Sequence, residues 1–151
     1  MSRKLNIASI LLFANGILPV VSALLMMFSG SSEFTYEELV GASTIQIREL
    51  SPKLMDAIEL AVQLRGVYLL IFALFWIVIS LVPYRKGEKW AWYAILGIGS
   101  IWLSGYLIIV CTGLSGGIYL STWIIPGIIW FILWVVGLAL PAREIFSKPS
   151  S

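Results

Sequence analysis

Apolar residues in this chain come in long unbroken runs, set apart by short charged clusters. Residues 5–30, 66–84 and 90–142 contain no Asp, Glu, Lys or Arg. A helix that crosses a bilayer needs about 20 consecutive apolar residues, so the first two runs hold one span each and the third is long enough for two. The third run breaks at "TGLSGGIYLST", 112–122, whose three glycines and four Ser and Thr hydroxyls make an uncharged turn. The pattern predicts an all-α integral membrane protein, a single domain over 1–151. Its four transmembrane helices fall near 5–28, 66–83, 91–112 and 119–140, with one long loop, about 29–61, between the first two.

That loop carries helix signals of its own. Thr35 followed by Glu38 fits a capping box and predicts a short helix near 36–42. Ser51-Pro52 fits an N-cap with proline at the first helical position, so the second long helix is expected to begin at Pro52 outside the membrane and run straight into span two. A loop of this length with caps predicts a partly helical extracytoplasmic cap over a four-helix bundle.

Composition agrees: 60% of the 151 residues are hydrophobic and 12% charged, against roughly 45–50% and about 25% in a soluble domain. Charge sets the orientation. Arg3, Lys4, Arg85, Lys86, Lys89, Arg143 and Lys148 lie before span one, between spans two and three, and after span four. Basic residues in short loops collect on the cytoplasmic side, which places both termini in the cytoplasm and the 29–61 loop outside. A competing reading takes the first 23 residues as a cleaved signal peptide ending at Val21-Ser22-Ala23. The apolar run continues through "LLMMF", which favours an uncleaved anchor.

The chain has no histidine and one cysteine, Cys111. Histidine-ligated haem, histidine-assisted nucleophiles, the commonest zinc ligand and any internal disulfide or CxxC pair are therefore excluded. No catalytic residue, metal site or cofactor is expected, and no nucleic-acid partner. The only clustered acids, Glu33, Glu37, Glu38, Glu49, Asp56 and Glu59, lie in the outer loop beside Arg48 and Lys53, which reads as wet surface.

Three features invite a sharper reading. On a helix from Pro52, Lys53, Asp56, Glu59 and Gln63 share one face, while Leu54, Ile58, Ala61 and Arg65 share another that continues into Tyr68, Phe72 and Trp76. Arg65 thus heads an aromatic stripe. If the stripe faces the bundle, the arginine needs an anion or an aromatic face; otherwise it reaches to lipid headgroups and pins the helix depth. Second, Asn15 lies mid-span, four residues before Pro19, which has no N–H for the Asn15 carbonyl. Gly97, Ser100, Ser104 and Cys111 form a small-residue stripe on span three at similar depth, the natural helix-packing partner. Third, Trp90, Trp92 and Trp123 fit an interfacial belt, whereas Trp76, Trp102 and Trp130 fall mid-span. There they either fill space or line a pocket for a lipophilic ligand. Trp123, Gly127, Trp130 and Trp134 share one face of span four, and Pro126-Gly127 is a candidate bend.

The segment 51–97, with Arg65-Gly66 opening a span and "RKGEKWAWY" (85–93) in the next turn, resembles uncharacterised prokaryotic four-span small membrane proteins. That resemblance implies the same four-span fold and assigns no activity or site residue. Span one lacks the glutamate of small multidrug exporters, and the cysteine pairs of quinone-linked disulfide enzymes, claudins and tetraspanins are missing. So are the membrane histidine and acids of emopamil-binding-type sterol isomerases. The expectation is a non-enzymatic protein of the cell membrane, an accessory or structural subunit acting by helix packing with itself or with a larger membrane complex. Two alternatives stand beside it: a lipid or lipophile binder using Arg65, Tyr68, Trp76, Trp102 and Trp130, and a small oligomeric transporter using Asn15, Ser100 and Ser104.

Overall fold

The computed structural model describes residues 2–29, 42–115 and 121–147. Five helices run through them: α1 (Arg3–Ser29), α2 (Thr44–Leu50), α3 (Pro52–Leu81), α4 (Lys89–Ser115) and α5 (Ser121–Ser147). Four contain stretches long and apolar enough to cross a membrane: Arg3–Phe28, Pro52–Leu81, Lys89–Cys111 and Ile124–Ser147. Among the described residues there is no strand. The fold is an all-helical, four-helix membrane bundle with, among the described residues, one short helix between its first two spans.

The helix foreseen near 36–42, with its Thr35–Glu38 box, lies outside the described residues. Ser43 caps α2: its hydroxyl accepts the Gln46 N–H, and the Gln46 side chain accepts the Ser43 N–H at 2.9 Å. This Ser-x-x-Gln box is legible in the sequence. Ser51 then ends α2 and caps α3 by accepting the Leu54 N–H, with Pro52 in the first turn. At 1.5 Å per residue, the 30 residues of α3 run about 45 Å, roughly 15 Å more than the hydrocarbon core. Its first turns are the polar ones. There Lys53 and Asp56 are exposed, and Arg48 of α2 bonds Glu59 at 2.6 Å.

The tight 82–88 turn reverses the chain into α4, with Gly87 at φ 77 donating its N–H to the Tyr84 carbonyl. α1 lies between α3 and α5; α4 packs on α5 and more lightly on α3. The four long helices thus form a square with α1 and α4 across the diagonal. Ser2 and Lys4 reach Glu144 near the end of α5, the lysine at 4.0 Å, and Arg85 donates to Asn6 at 3.1 Å. The start of α1, the 82–88 turn and the end of α5 therefore share one end of the bundle. Arg3, Lys4, Arg85, Lys86, Lys89 and Arg143 gather there.

α1 and α3 meet along matched small residues. Ser9, Gly16 and Ala23 recur every seventh position on α1, as do Gly66, Ala73 and Ser80 on α3. A seven-residue repeat keeps one seam facing a neighbour along a left-handed crossing. The antiparallel register sets Ser9 beside Ser80, where the Ser9 hydroxyl donates to the Ser80 carbonyl at 2.6 Å. At the other end, a Cβ on Gly66 would lie 2.9 Å from the Ala23 carbonyl oxygen. Between them Gly16 admits the side chains of Trp76 and Ile77. Without water to drive helices together inside lipid, such close approach supplies the packing energy.

α5 runs on to Ser147, past Pro141, near which the apolar pattern predicts its end. Proline leaves the carbonyl four residues earlier without its helical donor. Here that carbonyl belongs to Gly137, and the Tyr84 hydroxyl donates to it at 2.6 Å. The break is repaired from another helix's turn.

Gly16→Val should lower the melting temperature in detergent, since overpacking costs about 1–3 kcal/mol. Gly97→Val, whose Cβ would meet nothing within 4 Å, should leave the melting curve of the isolated single chain unchanged.

Candidate functional site

In a bundle whose outer surface is as apolar as its core, hydrophobic periodicity does not report which face is buried. α3 shows this. Its buried face is Met55, Gly66, Ala73, Trp76 and Ser80, which shares only Trp76 with the stripe headed by Arg65. Arg65 is exposed, Tyr68 is 70% exposed, Phe72 is half-buried and only Trp76 is enclosed. The stripe does not face the bundle as one unit; the helix rotates to bring its small residues onto α1. Arg65 and Tyr68 therefore stand apart from the indoles with which the sequence groups them.

Those indoles do come together. Trp76 lies 5.6 Å from Trp130 and Trp130 4.1 Å from Trp102, between ring centroids, and Phe72, Tyr106 and Trp134 extend the cluster. Trp76 and Trp130 are buried, and Trp102 is half-buried. Gly127, Trp130 and Trp134 share the buried face of α5; the Trp123 side chain lies outside the described residues. Three helices thus contribute to one aromatic centre in which the rings cover one another's faces.

Two of these rings, and Trp92 outside the cluster, also donate between helices. Trp76 Nε1 gives to the Leu12 carbonyl at 2.9 Å, Trp134 Nε1 to Ile95 at 3.2 Å, and Trp92 Nε1 to Leu138 at 3.0 Å. A helical side chain leans toward the N-terminus and shields the carbonyl one turn earlier. Glycine one turn after the acceptor removes that shield: Gly16 follows Leu12, and Gly99 follows Ile95. A Cβ on Gly99 would collide with Trp134 Nε1 itself. Sequence reasoning treats the mid-span indoles as filler or pocket lining and misses their donor role. The signal lies in the glycine placement, not in the tryptophans.

Asn15 is wholly buried and donates Nδ2 to the Trp130 carbonyl at 3.3 Å. Its partner is on α5, not on the small-residue stripe of α4, because α1 and α4 sit across the diagonal. Ser100, Ser104, Gly97 and Cys111 are all exposed, and the Ser104 hydroxyl turns back onto the Ser100 carbonyl at 2.9 Å. The structure separates Asn15 from Ser100 and Ser104. At the interface, Trp90 is exposed and donates to Glu88, while Trp92 packs edge-on against Tyr93 and Phe146.

Tyr84 sits in the 82–88 turn outside the spans, and burial pushes its phenol above the ordinary value. No family model, curated protein or solved structure matches the chain. Its class rests on its own geometry: a multi-pass integral membrane protein in contact with the lipid bilayer.

Trp76→Phe should keep the aromatic packing and lose the bond to Leu12. Such bonds between membrane helices average about 0.6 kcal/mol, a small drop in stability measurable by reversible unfolding in mixed micelles. The Tyr84 phenol keeps its proton in the folded chain, whereas an unfolded tyrosine ionises near pH 10. Its contribution is therefore fully present below about pH 10 and lost as pH rises toward the higher folded value. Melting temperature should fall across that alkaline range, and Tyr84→Phe should flatten that part of the profile.

Proposed function

We propose that this chain is a non-enzymatic helix-packing protein of the cell membrane, an accessory or structural subunit whose α4 receives a membrane-spanning helix of a second copy or of a larger complex. The observation that carries this reading is the exposed face of α4. Gly97, Ser104 and Cys111 repeat every seventh residue, the spacing with which α1 and α3 grip each other, but here all three are exposed. A Cβ on Gly97 or on the nearby Gly105 would meet nothing within 4 Å. Flanking Ile101 and Ile108 are 77% and 67% exposed. Small residues that let a backbone approach closely, flanked by β-branched side chains, make the surface that membrane helices use to associate.

The gathering of cations at the end shared by the α1 start, the 82–88 turn and the α5 end supports cytoplasmic termini, with α2 and the first turns of α3 outside.

Native mass spectrometry of the protein in mild detergent from its own membrane tests the reading. The chain should carry a second copy or another membrane protein, and Gly97→Leu with Ser104→Leu should release it while leaving the fold intact. A monomer before and after substitution would sink the proposal. Cys111, the one cysteine, separates the two kinds of partner: oxidation in the membrane yields a disulfide dimer when α4 packs in parallel on its own copy.

A further inference from the structure

Asn15 carries the one buried side-chain nitrogen or oxygen atom among the described residues that has no hydrogen-bond partner, its Oδ1. It lies about 18 Å along α1 from Arg3, near the middle of the hydrocarbon layer. The amide cannot be turned over to relieve this. Nδ2 already donates to the Trp130 carbonyl, and the reverse orientation would set two acceptors face to face. One turn further on the same face is buried Pro19, which has no N–H for the Asn15 main-chain carbonyl. One residue thus presents a side-chain oxygen without a donor and a main-chain oxygen deprived of its helical one.

Three buried donors of the α1–α3 pair are committed elsewhere. The Ser9 hydroxyl gives to Ser80, the Ser80 hydroxyl to Trp76, and the Trp76 indole to Leu12. Against this background of satisfied groups, an open acceptor marks the place of a donor that is not part of the chain. Its chemistry follows from the surroundings. The runs 5–30, 66–84 and 90–142 contain no acid, so a metal ion or ammonium here would be an uncompensated charge at the centre of the membrane. A neutral O–H has no such cost and supplies what an amide oxygen lacks.

We propose that Asn15 Oδ1 is a binding site for a neutral hydroxyl donor, either one enclosed water or the O–H head of an alcohol dissolved in the membrane. The site is independent of the α4 face and stands whether or not a partner helix docks there. An enclosed water needs at least two polar partners, and the main-chain oxygen that Pro19 leaves without its helical donor is the other acceptor this residue offers.

The chain has two asparagines, Asn6 and Asn15, so 13C,15N-asparagine labelling of full-length Asn6→Gln protein in liposomes reports on Asn15 alone. The isotope-edited infrared band of its side-chain carbonyl is expected at the frequency of a hydrogen-bonded amide. Water-edited solid-state NMR then separates the sources. Rapid transfer from water to the Asn15 amide identifies water. Absence of that transfer, with a cross-peak to a non-protein O–H and a matching mass in the organic extract, identifies an alcohol. A free-carbonyl band overturns the proposal, and so does a cross-peak from the Asn15 amide to a protein hydroxyl or indole.

Discussion

The bundle depends on donors that reach across to main-chain carbonyls of another helix. In lipid no hydrophobic force selects one apolar face over another, because the tails outside are as greasy as the residues inside. Specific pairing then rests on close backbone approach and on directed hydrogen bonds. Here Ser9, Trp76, Tyr84, Trp92 and Trp134 each donate to a carbonyl of another helix. Two of these carbonyls are bared by glycine one turn on, one is freed by Pro141, and the Ser80 carbonyl lies in the last turn of α3, where no helical donor remains. Helix, turn and ring are locked by the same kind of contact.

Small residues set which faces meet. The seventh-residue repeat of Ser9, Gly16 and Ala23 against Gly66, Ala73 and Ser80 makes α1 and α3 an antiparallel pair, and the indoles then fill the space between that pair and α5. α4 has the least of its span enclosed within the chain. It is held through Gly99 under Trp134 and Gly127 under Tyr106, both contacts with α5, while its other side faces outward.

The four helices were legible in the sequence because the length of an uncharged run is itself the signal for a span. Capping chemistry placed the start of α3 at Pro52 for the same local reason. What periodicity could not supply was rotation: the Arg65 stripe and the buried face of α3 are both apolar, and only Gly66, Ala73 and Ser80 distinguish them. Depth was readable as well, since Asn15 does lie in the buried centre, but its partner was not. Spacing along one helix says nothing of which neighbour lies beside it, and α1 turned out to be diagonal to the stripe at Ser100 and Ser104. The uncharged run set the end of the last span near 140; the helix continues past Pro141, and the donor that rescues Gly137, Tyr84, lies far away in sequence.

The bond between Tyr84 and Gly137 bears on the order of biogenesis. During synthesis α1 and α3 enter the bilayer first and hold all they need to zip together, with the 82–88 turn completed behind them. α4 follows with its main intrachain contacts still unmade, because they lie on α5. When α5 arrives it brings a helix whose ladder is already broken at Gly137 by its own proline, and the tyrosine that mends it is waiting at the cation-rich end. The gap that α5 carries at Gly137 and the donor that fills it thus come from segments synthesised at different times.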